Sequence, residues 1–146
     1  GGAAAWFEDC DIVSIDGLRD HGDRKEPALG FCTAASTPEG QEFGYVFMKC
    51  RFQGEGIPDG AIYLGRPWRE FAKTVLLHCE LGAHIRPEGW HDWNKPYFPA
   101  TGYYAEFAST GAGSQGQRAA YVHQLTAEEA EKYTFERFWG SISPEG

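Results

Sequence analysis

Three short segments built around a cysteine constrain this chain more than any other feature of its sequence. Trp6 to Ile12 (WFEDCDI), Phe47 to Phe52 (FMKCRF) and Leu76 to Leu81 (LLHCEL) fit one template. An apolar residue stands three places before the cysteine (Phe7, Phe47, Leu76), and a polar one directly before it (Asp9, Lys49, His78). Another polar residue follows (Asp11, Arg51, Glu80), then an apolar one (Ile12, Phe52, Leu81). In a straight strand, positions three apart face opposite sides. Burying both the leading apolar residue and the cysteine therefore requires a one-residue corner between them, as in a coil that turns. The copies are 40 and 29 residues apart, in the range of solenoid repeats, and the inequality predicts loops inserted on some coils.

Between the apolar segments lie turn clusters such as DGLRDHGDRKEP, STPEGQE, GEGIPDG and RPEG. Nineteen glycines and eight prolines in 146 residues disfavour long helices. The sequence therefore predicts an all-β protein, a right-handed parallel β-helix whose equivalent side chains stack in ladders. A β-sandwich with three similar strands is the alternative. One helix is signalled near the end, where Thr126 and Glu129 in LTAEEAEKYT form a capping box. Its expected place is against the solenoid or over its end. At the other end, Trp6 and Phe7 expect a neighbouring coil.

Composition narrows the partners. Thirteen Lys and Arg against 21 Asp and Glu give a formal charge of -8, a poor footprint for neutralising phosphates, so no nucleic acid is expected. No apolar run approaches the roughly 18 residues of a bilayer span, so no membrane partner is expected. The opening GGAAAWFEDC has no basic region or cleavage pattern of an export signal. Cys10, Cys32, Cys50 and Cys79 show no CxxC and no zinc-finger spacing. Four cysteines permit two disulfides in an exported protein; buried reduced thiols are the other reading.

Several motifs have plain readings. Gly111, Gly113 and Gly116 match GxGxxG, but no strand-to-helix unit surrounds them, and a turn-rich loop is expected. No GxSxG elbow is present, and His78, His84 and His91 fit no metal template. The densest cluster is YLGRPWREFAK, from Tyr63 to Lys73, followed by LGAHIRPEGWHDWNK. Arg66 lies between Gly65 and Pro67, two places before Trp68, so a rigid turn presents a guanidinium beside an indole. A guanidinium fork holds a carboxylate and an indole face covers a sugar ring, which together suit an acidic sugar. Trp90 and Trp93 offer further aromatic surface. Alternatively, these tryptophans fill the core and Arg66 pairs with a local acid.

LGRPW (Leu64 to Trp68), GWHDW (Gly89 to Trp93), YAEFASTGAGS (Tyr104 to Ser114) and the closing QLTAEEAEKYT closely resemble the C-terminal half of the pectin methylesterase family. GGAAAWFEDCDI and GFCTAAST continue the match in order, so that it covers nearly the whole chain. The resemblance implies carbohydrate esterases on a right-handed parallel β-helix, secreted or periplasmic, acting on pectin (methylated homogalacturonan) without metal or other cofactor. It implies two aspartates, one the nucleophile and one the general acid and base, and two glutamines for the oxyanion. The family arginine beside the nucleophile matches Arg66, which the resemblance makes a catalytic-site residue. Trp68 is implied as substrate-binding and Trp93 as a wall of the cleft. Arg19 lies in a loop where some relatives contact substrate carboxylates.

The family nucleophile sits in a DFIFG motif that directly precedes the segment matched by GGAAAWFEDC, with the other acid and both glutamines further upstream. Residues 1–146 therefore read as the C-terminal part of one β-helix domain whose N-terminal coils are missing, inactive alone. A cluster of Arg66, Arg69, Lys73 and Arg86 is expected to make one face attractive to a polyanion despite the net charge. The competing reading is a non-catalytic polysaccharide-binding β-solenoid. A pectate lyase or polygalacturonase is disfavoured, since the Asp clusters of those reactions are not evident.

Overall fold

The expected corners exist. Asp9, Lys49 and His78 all adopt left-handed backbone, with φ of 54°, 55° and 54°. In the computed structural model, which describes residues 1–15, 30–98 and 100–142, each ends a strand of one sheet and lets the chain turn into the next. A fourth corner, Ala108 at φ 55°, has the same form.

Three parallel sheets result. The first contains β1 (Ala5–Glu8), β4 (Tyr45–Met48), β7 (Lys73–Leu77), β9 (Tyr103–Phe107) and β10 (His123–Gln124), paired in that order. The second holds β2 (Asp11–Ile15), β5 (Arg51–Glu55) and β8 (Glu80–Leu81). The third pairs β3 (Gly30–Ala35) with β6 (Ile62–Pro67), and Ile85 and Trp90 continue it by isolated bridges to Ile62 and Gly65. All named pairs are parallel, so the fold is the expected parallel β-helix and not a sandwich.

Register turns the sequence template into ladders. Phe7 pairs with Phe47, Phe47 with Leu76, and Leu76 with Glu106. Phe7 and Phe47 stack with ring centroids 4.7 Å apart, a geometry that adds roughly 0.5–1.5 kcal/mol beyond area burial. Ile12, Phe52 and Leu81 form the matching ladder of the second sheet. The four cysteines are free, and the Cys79 thiol donates to the carbonyl of Phe47, one rung back. Burial pushes the Cys79 thiol up to about 12 and that of Cys32 to about 11, so both are inert at neutral pH.

The outer face of the first sheet is apolar too. Trp6, Val46, Val75 and Ala105 form a second ladder there. It is covered by the C-terminal segment: α1 (Ala127–Ala130) starts at the predicted Thr126–Glu129 capping box, and α2 (Phe135–Ile142) follows. Phe138 of α2 packs on Trp6 at 5.6 Å and Phe43 at 5.8 Å. Of the two placements open from sequence, the helices take the one against the solenoid. Trp6 accordingly meets α2, while Phe7 faces the coil interior. The glycines of GAGSQG serve packing: a Cβ at Gly111, Gly113 or Gly116 would strike the backbone of Leu81, Gly82 or Pro87 in the preceding coil. No helix among the described residues is long and apolar enough to cross a membrane.

Candidate active site

The third sheet carries the site. Strand alternation puts Cys32, Ile62 and Leu64 into the solenoid core and leaves Phe31 and Tyr63 on the other face, stacked at 5.4 Å across the β3–β6 pair. Arg66 lies three residues further along β6, opposite Ala34. Its guanidinium carbon sits 4.6 Å from the Trp93 ring centroid and 5.1 Å from each of Trp68 and Phe31. Arg66, Trp68 and Trp93, singled out separately from sequence, are thus gathered around one guanidinium. Trp68 is 58% exposed and Trp93 45%, so two of the three rings present surface to solvent.

The turn that delivers Trp93 is strained and specifically held. Trp93 and Asn94 are both left-handed, at φ 57° and 54°. Two such residues in succession cost energy that local bonds must offset. The His91 Nδ1 accepts the Trp93 amide at 2.8 Å, and Asp92 Oδ1 accepts that of Asn94 at 2.8 Å. The polar residues of GWHDW therefore build the turn.

No described acid is paired with Arg66, and its Nε is buried without a partner among the described residues. Aromatic faces stabilise the cation without neutralising it. The arrangement can bind a carboxylate at the guanidinium and a sugar ring on the exposed indoles. It can also hold a neighbouring carboxylate in its ionised form.

Two expectations need correction. Trp90 is core, 1% exposed, stacked on Tyr104 at 4.4 Å, and offers no surface. The basic face is smaller than expected: Arg86 lies over Tyr63 at 4.7 Å and pairs with Glu88 at 3.4 Å, which offsets its charge. Arg19 lies outside the described residues. Sequence reasoning also missed Phe31, which the 32-residue offset between Ala34 and Arg66 in the β3–β6 register could have placed. It missed the buried pair Glu106–Arg118 as well, 2.7 Å apart. EFASTG turns the same left-handed corner at Ala108 but keeps only the polar Thr110 of the template, so the repeat carried no signal for Glu106.

Together these elements make a parallel β-helix whose lateral face bears an arginine held among exposed indoles. Residues 1–141 match the pectinesterase family model, and the chain belongs to that family. A pectinesterase/pectinesterase inhibitor of Solanum lycopersicum is 34% identical over 154 residues, covering 94% of this chain and 24% of the relative. The solved pectin methylesterase from carrot superposes with a TM-score of 0.76 at 28% identity, over 94% of this chain and 44% of the carrot chain. A pectin methylesterase mutant crystallised with a hexasaccharide gives 0.72 at 28% identity, covering 95% and 46%. The chain thus spans about a quarter of the tomato relative and less than half of the two solved enzymes.

Proposed function

We propose that this chain supplies the arginine and the aromatic wall of the active site of a pectin methylesterase, which hydrolyses galacturonate methyl esters of pectin to pectate and methanol. The observation that carries the reading is an Arg66 guanidinium ringed by Trp93, Trp68 and Phe31, with no described acid paired to it. Among the described residues, a cation so held lacks its anion. In this reading the anion is an aspartate nucleophile carried by coils stacked before β1.

The aspartate attacks the ester carbonyl, and the bond to the methoxy group breaks as a second carboxylic acid protonates the leaving methanol. The same group, now ionised, takes a proton from water, which hydrolyses the acyl-enzyme. Arg66 favours the charged form of the nucleophile and fixes its two oxygens. Trp68 and Trp93 lie against the pyranose faces. The hexasaccharide bound by the structural neighbour supports an oligosaccharide-sized substrate. Secretion or a periplasmic location accords with a cell-wall polymer as substrate.

The test is methanol release from methylated homogalacturonan. The chain joined to a family N-terminal half should turn over, and Arg66→Ala should lower turnover by roughly 100-fold with its unfolding midpoint unchanged. Undiminished turnover removes Arg66 from the site, and robust turnover by the 146 residues alone overturns the mechanism. Binding of oligogalacturonate with no turnover in the joined protein favours a non-catalytic polysaccharide-binding solenoid.

A further inference from the structure

Glu106 occupies the fourth rung of an inward column whose other members, Phe7, Phe47 and Leu76, are apolar. Its side chain is 2% exposed and that of its partner Arg118 is 8%. Both carboxylate oxygens are fully engaged. Oε2 accepts from Arg118 Nε at 2.7 Å and from Trp90 Nε1 at 3.2 Å, and Oε1 accepts from Ser109 Oγ at 2.9 Å and Arg118 Nη2 at 3.2 Å. Arg118 also donates to the carbonyls of Gly113 at 2.9 Å and Pro87 at 3.0 Å.

Burying two charges costs desolvation that their attraction barely offsets, so apolar residues of similar volume would serve stability as well. Three rungs of the same column use them. What the charged rung adds is direction. The carboxylate fixes the Trp90 indole, which fills the space at Gly65, where a Cβ would come within 2.9 Å of it. Around that contact the two segments are laced together: the Leu64 amide donates to the Gly89 carbonyl at 2.6 Å and the His91 amide to that of Gly65 at 3.0 Å. Arg66 follows Gly65, and His91 holds the Trp93 amide.

We infer that Glu106 and Arg118 are positioning residues: through the Trp90 indole they set the LGRPW strand against the GWHDW turn, and with it the 4.6 Å separation of the Arg66 guanidinium from the Trp93 ring. The inference rests on the preceding reading of that cluster as a uronate site.

Arg118→Lys keeps a cation beside Glu106 but loses the fork that aims the carboxylate. Titrated with an oligogalacturonate and followed by tryptophan fluorescence, it should bind roughly tenfold more weakly than the parent chain. Val75→Ala, in the apolar ladder outside the first sheet, controls for lost stability and should bind as the parent does. Equal binding by Arg118→Lys, or an equal loss in a Val75→Ala protein of matched melting temperature, overturns the inference. If the parent chain itself does not bind, nuclear magnetic resonance decides the positioning, and the uronate reading is decided by the joined protein of the preceding test. Displaced Arg66 Nε–H and Trp93 indole signals in Arg118→Lys, unmoved in Val75→Ala, support it; signals unmoved in both overturn it. Should Arg118→Lys not fold, Glu106→Gln, which keeps one oxygen for Trp90, is read by the same measurements.

Discussion

His84 is framed by Gly54 and Gly82, where a Cβ on either would come within 2.8 Å of its ring, and its Nε2 is buried without a partner. Burial pushes its pKa below the usual 6.5, because the fold favours the neutral imidazole. As pH falls, the unfolded chain takes up the proton first. The stabilising contribution is therefore complete above 6.5 and is lost as pH drops through the lowered folded value. The thermal midpoint should fall on acidification through that window, and His84→Asn should flatten the fall; parallel curves would place the titration elsewhere. Sequence showed only that His84 fits no metal template, since its two glycine neighbours come from different coils. The same limit applied to the tryptophans. Arg66 beside Trp68 was legible because Gly65 and Pro67 fix the local turn. Trp90 is held inward by Glu106, and Trp93 is delivered by left-handed residues at 93 and 94, neither of which a local pattern announced.

The corner was the most legible element, because the spacing of an apolar residue and a cysteine left sterics one solution. Its chemistry is less ideal than its geometry: all four corners carry a Cβ where glycine would be unstrained, and only Asp9 and His78 are of types that visit the conformation readily. Ala108→Gly should therefore raise stability by about 0.5–1 kcal/mol in denaturant unfolding, the relief of strain exceeding the added freedom of the unfolded chain. A loss of stability would mean that the Ala108 methyl contributes packing worth more than the strain. The capping box of α1 was equally readable, since Thr126 and Glu129 bond each other's backbone at 3.1 and 2.9 Å. α2 was not, although Phe135, Phe138, Trp139 and Ile142 keep helical spacing. Its cap is half a box, with Thr134 accepting the Arg137 amide at 3.2 Å and no acid to return the bond.

At the scale of the molecule, two apolar layers share one sheet. The inner is the solenoid column; the outer is Val46, Val75, Leu77 and Ala105 beneath Phe43, Leu125, Tyr133 and Phe138. Phe138 is 3% exposed and anchors α2 to Trp6 and Phe43. Phe138→Ala should cost about 3–5 kcal/mol in denaturant unfolding, with the inner column left intact. A cost below about 1 kcal/mol would show that α2 merely rests on the sheet. Three inner ladders were legible because repetition advertises them; the outer layer joins segments from opposite ends of the sequence, which leaves no repeat to find. The charged rung at Glu106 has one more effect. A parallel column of strands is a template onto which another molecule could dock and polymerise. Past the fourth rung, where an apolar side chain would have to lie against a carboxylate already committed to four donors, the column shrinks: the next strand, β10, is two residues long and sets Gln124 opposite Glu106. That side therefore offers a docking molecule a two-residue edge in place of a full ladder.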